Sequence, residues 1–259
     1  MRAWQQPGQA TAFEALVDDY AAARPTYPAA LFDALPPVEG RRVLELGAGT
    51  GLATLRLLER GAQVVSTDAG PAMLGRLHAE LPGVPVAIAR AEALPFADDT
   101  VDAVCGAQMW HWVDVPAAVA EVARVLRPGG WLAVWWNDVD AAGQRWYEEQ
   151  QARLEADGAG YRRSYRARAY ADELEATGAF ADVTTWTGTW SRELDGPTYE
   201  RWLRSKSYVA ALHDPEGFLA AERASLARAF PSGRIVEPFR VQLVVARLSG
   251  PRVGPGLPR

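Results

Sequence analysis

Lysine is almost missing from this chain of 259 residues: Lys206 is the sole one among 27 lysines and arginines. Such a bias reflects codon usage more than physics. Cysteine is also single. Cys105 excludes an internal disulfide framework, and its apolar, strand-like surroundings fit a chain kept in a reducing cytoplasm. A basic surplus is missing too, since the net charge is −5. That removes any global case for a nucleic-acid or anionic-membrane partner. No apolar run reaches the roughly 18 residues that a membrane helix needs. The opening stretch MRAWQQPGQATAFEALVDDY lacks the charged-then-apolar pattern of a signal peptide. Clustered metal ligands and a Ser-His-Asp spacing are absent as well, so no metal is expected. What remains is a globular composition with a core, 49% hydrophobic and 23% charged.

From Arg42 onward, short β-rich runs alternate with helical spacing. RVLEL (42–46), AQVVSTD (62–68), VPVAIAR (84–90), TVDAVCGA (100–107) and WLAVWWN (131–137) read as strands. LATLRLLER (52–60), PAMLGRLHAEL (71–81) and PAAVAEVARVL (116–126) read as helices, the last closed by RPGG. Near-continuous apolar strands between helices predict an α/β fold: a parallel sheet covered on both faces. After Asn137 the rhythm changes. Residues 141–178 read as helical, 180–190 as strand, 197–212 and 215–230 as helical, and 235–248 as strand. The expected organisation is a helical cap or lid over 1–40, a main domain over 41–248 with helical insertions at about 138–178 and 191–233, and a disordered Pro/Gly-rich tail at 249–259.

VLELGAGTG (43–51) carries the most chemistry. A strand runs into Gly47, Gly49 and Gly51, and a helix follows. Glycines permit a tight turn and a close approach of a ligand to the main chain. The helix start adds free N–H groups. A dinucleotide fingerprint, G-x-G-x-x-G, would need its third glycine at Leu52, one residue later than Gly51. Glu45 sits two residues before the loop, where a carboxylate suits a cationic ligand better than a diphosphate. Asp68 closes the second strand and can accept both hydroxyls of a ribose; its bland alternative is an N-cap for the helix at Pro71. The loop therefore favours a cationic adenosine derivative over a nicotinamide dinucleotide.

VLELGAGTG, VVSTD, AEALPFADDTVDAV and EVARVLRPGG, in this order and spacing, resemble the successive motifs of class I S-adenosylmethionine-dependent methyltransferases. The likeness covers roughly residues 10–137 well and the rest loosely. YAAARPTYP (20–28) and AQMWHWVD (107–114) resemble a bacterial small-molecule branch related to trans-aconitate methyltransferases. The resemblance implies a Rossmann-like, seven-stranded, mostly parallel sheet with its last strand antiparallel. It implies S-adenosyl-L-methionine as cofactor, S-adenosyl-L-homocysteine as product, and a small-molecule acceptor methylated on oxygen, nitrogen or a carboxylate. By that resemblance Gly47 and Gly49 meet the methionine part, Asp68 the ribose, Ala91 and Glu92 the adenine, and Gln108 the methionine part again. Tyr20 and Arg24 match an N-terminal segment folding over the cofactor. One departure is Arg90, where many relatives carry an aspartate that reaches the adenine. The rival readings are a nicotinamide oxidoreductase and a non-catalytic adenosyl-binding protein. Oligomeric state stays open.

Trp110, His111 and Trp112 follow the fourth strand, at the carboxyl edge of the sheet beside the glycine loop. They are placed to border the acceptor, because aromatic faces attract a sulfonium and a flat molecule alike. One of the two tryptophans, Trp112, is expected to pack under the helix at Pro116. His111 has two readings, general base or positioning residue. RPTYP (24–28) is either a linker or a lid whose Arg24 forks onto the cofactor carboxylate. The arginine-rich YRRSYRAR (161–168) is either a solvated helix face or a recogniser of an anionic acceptor. Tyr199, Trp202 and Lys206 share a helical face that is either core or pocket.

Overall fold

Strands and helices alternate where the apolar spacing places them. The computed structural model describes residues 23–157, 160–163 and 169–249. The strands are β1 Arg42–Leu46, β2 Gln63–Asp68, β3 Val86–Ile88, β4 Val101–Ala107, β5 Leu126–Val139, β6 Phe180–Leu194 and β7 Ile235–Leu248. They form one sheet in the order β3-β2-β1-β4-β5-β7-β6. Neighbours from β3 to β5 pair in parallel, while β7 runs antiparallel to both β5 and β6. This is the Rossmann-like, mostly parallel seven-stranded sheet that the resemblance implies. The helices are α1 Ala29–Asp33, α2 Leu52–Leu58, α3 Pro71–Glu80, α4 Val115–Val125, α5 Arg145–Ala156, α6 Tyr170–Glu175, α7 Gly196–Arg204, α8 Ser207–Ala210 and α9 Pro215–Ala229.

Both faces of the sheet are covered, and successive residues feed opposite cores, as pleating requires. Trp136 joins Val104, Leu132 and α4 on one face, while its neighbour Trp135 joins Val43, Leu57 and α1 on the other. Tyr27 and Phe32 meet Trp135 edge-on, with ring centroids 6.0 and 5.8 Å away. A third core binds α5, α7 and α9 around Trp146, Tyr199, Trp202 and Phe239. These helices sit between the late strands. Asp114, Asp195 and Asp214 cap α4, α7 and α9 by accepting from the third backbone N–H onward, the usual way to satisfy an orphan donor at a helix start.

Several boundaries move. The third strand shrinks to Val86–Ile88, because it lies at the sheet edge with Ile88 65% exposed. RPGG does not separate helix from strand. It lies inside β5 as an irregularity in the pairing with β4, and Gly129 turns at φ 78. The sixth strand runs on to Leu194, paired with Ile235, so the second helical insertion begins at Gly196. Within 141–178 the described helix is Arg145–Ala156 and Tyr170–Glu175. Residues 1–22, most of the expected cap, lie outside the described residues, as do 250–259 of the expected tail. No helix among the described residues is long and apolar enough to cross a membrane.

Candidate active site

The carboxyl ends of β1, β2, β4 and β5 converge on one edge. Gly47, Gly49 and Gly51 adopt φ of 60, 57 and 90, all left-handed, a region closed to most side chains. A Cβ on Gly47 would lie 2.8 Å from Met109 Cβ, so nothing larger than glycine fits between the loop and the turn after β4. The Ala48 N–H bonds to the Thr67 carbonyl (2.9 Å), tying the loop to β2. Gly47 and Gly49 stay half-exposed, so the cleft reaches their backbone.

Asp68 stands at the end of β2. Its Oδ2 accepts from Gly49 N (2.9 Å) and its Oδ1 from Gly70 N (2.8 Å). It thus clamps the glycine loop and closes a turn just before α3, whose N-cap is Gly70 without a side-chain cap, so the capping alternative does not hold; a carboxylate with about four lone-pair sites still has capacity for two hydroxyls. Burial pushes its carboxyl above the usual range, against the pull of the Gly70 and Gly49 N–H groups.

Glu45 does not face the cleft, contrary to its expected place. In mid-strand it pairs with Ser66 and Cys105, which directs its side chain under α2. It is 1% exposed. Its Oε2 accepts from Thr54 Oγ1 (2.5 Å) and Ser66 Oγ (3.2 Å), while Oε1 has no hydrogen-bond partner among the described residues. Burial raises its pKa to about 7, with the Asp68 charge adding to the rise. Glu45 is therefore not a residue of the cleft wall. Its proton also links stability to pH. The folded state holds the proton more tightly than the unfolded one, so stability falls as pH climbs from the ordinary carboxyl value of 4.5 through about 7. Glu45→Gln is expected to flatten that fall, worth roughly 2–3 kcal/mol, in melting curves taken at pH 5 and pH 8. Parallel pH dependence in wild type and variant would reject it.

Ala91 and Glu92 lie beside this edge. The Ala89 N–H bonds to the Asp68 carbonyl (3.0 Å), and Ala91 is buried. Glu92 secures the turn after β4, where its Oε1 accepts from Asp114 N (2.9 Å), and Arg90 lies 3.4 Å from its other oxygen. The ALPFADD stretch is clamped from α4. Arg124 donates to the Leu94 and Phe96 carbonyls and to Asp98, while Glu121 accepts from Leu94 N. Two of the sequence motifs are thus one hydrogen-bonded unit.

Gln108 turns the chain off β4 at φ 56, unusual for a side-chain-bearing residue. Its Nε2 donates to the Asn137 carbonyl (2.8 Å). Asn137, at the end of an apolar strand, was not singled out from sequence. Its Nδ2 donates to the Thr26 carbonyl (3.2 Å) and its Oδ1 accepts from Trp190 Nε1 (2.9 Å). It joins the RPTYP segment, β5 and β6 at one point. The polar residue ending the run WLAVWW was the available signal.

Trp110 and Trp112 exchange their expected places. Both lie in the single 3-10 turn Trp110–Trp112. Trp110 is fully buried in the core with Leu44, Ala91 and Trp136, so it is no part of an acceptor wall. Trp112 and His111 are half-exposed, their rings 5.0 Å apart. The tight turn points its first residue back under the sheet and the next two outward. His111 Nδ1 accepts from Trp136 Nε1 (3.4 Å). An imidazole that accepts at Nδ1 is neutral with its proton on Nε2.

Arg24 lies against the second helical insertion. Its Nη2 donates to the Ser205 carbonyl (3.1 Å), and its guanidinium sits 5.2 Å over the Trp202 ring. These contacts tie the extended segment to α7. Tyr20 lies outside the described residues, as do Arg166 and Arg168 of the arginine-rich stretch. Arg163 of that stretch pairs with Glu148 and Glu155.

The donor set fits S-adenosylmethionine. A half-exposed backbone loop, the Asp68 carboxylate beside it and the Glu45 carboxyl beneath form an acidic cradle. It suits a sulfonium and an ammonium, and repels a diphosphate.

Residues 44–134 match the family model described as a methyltransferase domain. An uncharacterised methyltransferase of Mycobacterium tuberculosis is 52% identical over 128 residues, 49% of this chain and 53% of that protein. The matched part thus spans about half the length of such relatives. Among solved structures, a protein assigned as a type II methyltransferase from Anaeromyxobacter dehalogenans superposes with a TM-score of 0.63 at 26% identity, over 88% of this chain and 97% of that one. A Haemonchus contortus phosphoethanolamine N-methyltransferase, solved with S-adenosylhomocysteine, shares the fold at TM-score 0.53 and 17% identity, over 95% of this chain and 59% of that one. Residues 44–134 thus match a methyltransferase domain, and the seven-stranded sheet that carries them has the class I methyltransferase topology.

Proposed function

We propose that the chain transfers a methyl group from S-adenosylmethionine to a small-molecule acceptor. The observation that carries this is the pairing of the left-handed glycine loop with Asp68 across the ends of β1 and β2. Gly47 and Gly49 offer backbone to the methionine part, Asp68 takes the ribose hydroxyls, the Ala91–Glu92 turn borders the adenine, and Gln108 flanks the sulfur side. The cofactor supplies a methyl group activated by its sulfonium: a lone pair on the acceptor forms the new bond to carbon, the S–C pair returns to sulfur, and a proton on the acceptor atom, where there is one, passes to solvent. The residues need only align the acceptor and exclude water.

A thermal shift tests the reading. S-adenosylhomocysteine at a hundredfold excess over Kd should stabilise the fold by ~2.7 kcal/mol, and NAD should not. Stabilisation by NAD alone would overturn it.

His111 is a positioning residue in this proposal. With Nδ1 accepting from Trp136, the remaining nitrogen carries a hydrogen and is a donor. His111→Gln keeps a donor, so its rate should fall by less than about tenfold, with the acid side of the pH–rate profile retained. A drop in the 10²–10⁴ range typical of a lost general base, together with loss of that limb, would make His111 the base.

A further inference from the structure

Between α5, α7, α8 and the ends of β5 and β7 lies a cavity of about 550 Å³, within the range that holds small ligands. Among the described residues, five aromatic rings line it: Tyr147, Tyr161, Tyr199, Trp202 and Tyr208. They are set in place by neighbours. Tyr161 donates its hydroxyl to Gln151 Oε1 (2.7 Å) and lies with its ring centroid 4.9 Å from that of Tyr208. Gln150 Nε2 donates to the Tyr199 hydroxyl (2.9 Å).

Among the described residues, the charged groups of the wall are matched within the protein. Glu237 accepts from Arg192 (2.7 Å) and Trp202 Nε1 (2.8 Å). Lys206 rests its ammonium 3.1 Å from the Trp202 ring centroid, a cation–π seat. Arg163 is held by Glu148 and Glu155, and Asp138 is likewise engaged. The rest of the described lining is ring surface together with neutral side chains such as those of Gln150, Gln151, Gln242, Val139 and Leu203. The cavity also adjoins the cofactor edge: Asp138 lines it, and the preceding residue, Asn137, accepts from Gln108.

We propose that this ring-lined, charge-matched cavity is the acceptor site and that it takes a flat, uncharged aromatic or conjugated molecule bearing hydrogen-bonding groups at its rim. The proposal deepens the methyltransferase reading and rests on it. Stacking between offset rings stabilises such a guest beyond its buried area, whereas a polycarboxylate would have to displace ion pairs already made.

The test uses the full chain with and without saturating S-adenosylhomocysteine. Binding of 2-naphthol, a trihydroxyflavone, citrate and octanoate is measured by calorimetry and saturation-transfer NMR. The two ring compounds should bind saturably, and Tyr147→Ala and Tyr208→Ala, which remove half-buried rings, should weaken them by about tenfold. Tyr208→Phe, which keeps the ring, should restore most of the affinity, and S-adenosylhomocysteine affinity should be unchanged in all three variants. Citrate or octanoate binding as tightly as the ring compounds, or ring binding indifferent to both alanine variants, would overturn the proposal. Should the alanine variants unfold, a photoreactive naphthol ether must label peptides containing Tyr147, Tyr161 or Tyr208; labelling elsewhere refutes it. If S-adenosylhomocysteine fails to bind the wild type while the ring compounds still do, the methyltransferase reading falls and the aromatic site stands.

Discussion

Asp68→Ala is expected to weaken S-adenosylhomocysteine binding by about 10²–10⁴-fold. Two ribose hydroxyls donating to one carboxylate are charge-assisted hydrogen bonds worth roughly 1.5–3 kcal/mol each, and every ~1.4 kcal/mol is a factor of ten. The same carboxylate anchors the Gly49 and Gly70 N–H groups. The alanine variant therefore loses stability too, by about 2 kcal/mol, which at this chain length lowers the melting temperature by about 4–8 °C. Calorimetric titration well below the lowered midpoint separates the two effects. Undiminished affinity in a folded variant would remove Asp68 from the cofactor site.

Trp110→Ala should cost far more stability than Trp112→Ala. Truncating a fully buried tryptophan removes its transfer free energy and leaves a cavity, together about 3–5 kcal/mol. That corresponds to a fall of about 6–20 °C in the melting temperature. Trp112 is half-exposed, and its removal should cost no more than about 1 kcal/mol. Urea titration of both variants decides between them. Equal losses, or a larger one for Trp112, would contradict the placement of the two rings. The contrast matters for the site, because of the three aromatic residues in this turn only His111 and Trp112 are left at the surface.

The order of elements was legible from local features. Near-continuous apolar runs marked β1, β2, β4 and β5 because a strand buried on both faces has no polar side to show. The glycine loop was legible for a similar reason: left-handed φ at 47, 49 and 51 leaves few alternatives to glycine. Asp68 was found through its position at a strand end. These signals lie within a few residues of what they determine. The edge strand β3 was blurred because two of its three residues are exposed and carry a weak pattern.

Side-chain direction and long-range pairing were decided only in three dimensions. AQMWHWVD announces two large rings but not which goes under, since that depends on a single 3-10 turn and the space left by Leu44, Ala91 and Trp136. Glu45 stands next to the loop in sequence, yet sheet register sends its carboxyl beneath α2. Asn137 became a junction because Thr26, Gln108 and Trp190, 111, 29 and 53 residues away, meet at its position. The ring-lined cavity is assembled from α5, α7 and α8 against β5 and β7. By itself the chain specified the seven-strand rhythm and the cofactor loop, because local φ and burial patterns suffice for both. The ring-lined cavity waited on tertiary structure, because its walls come from segments up to about a hundred residues apart, and no local spacing encodes such a meeting.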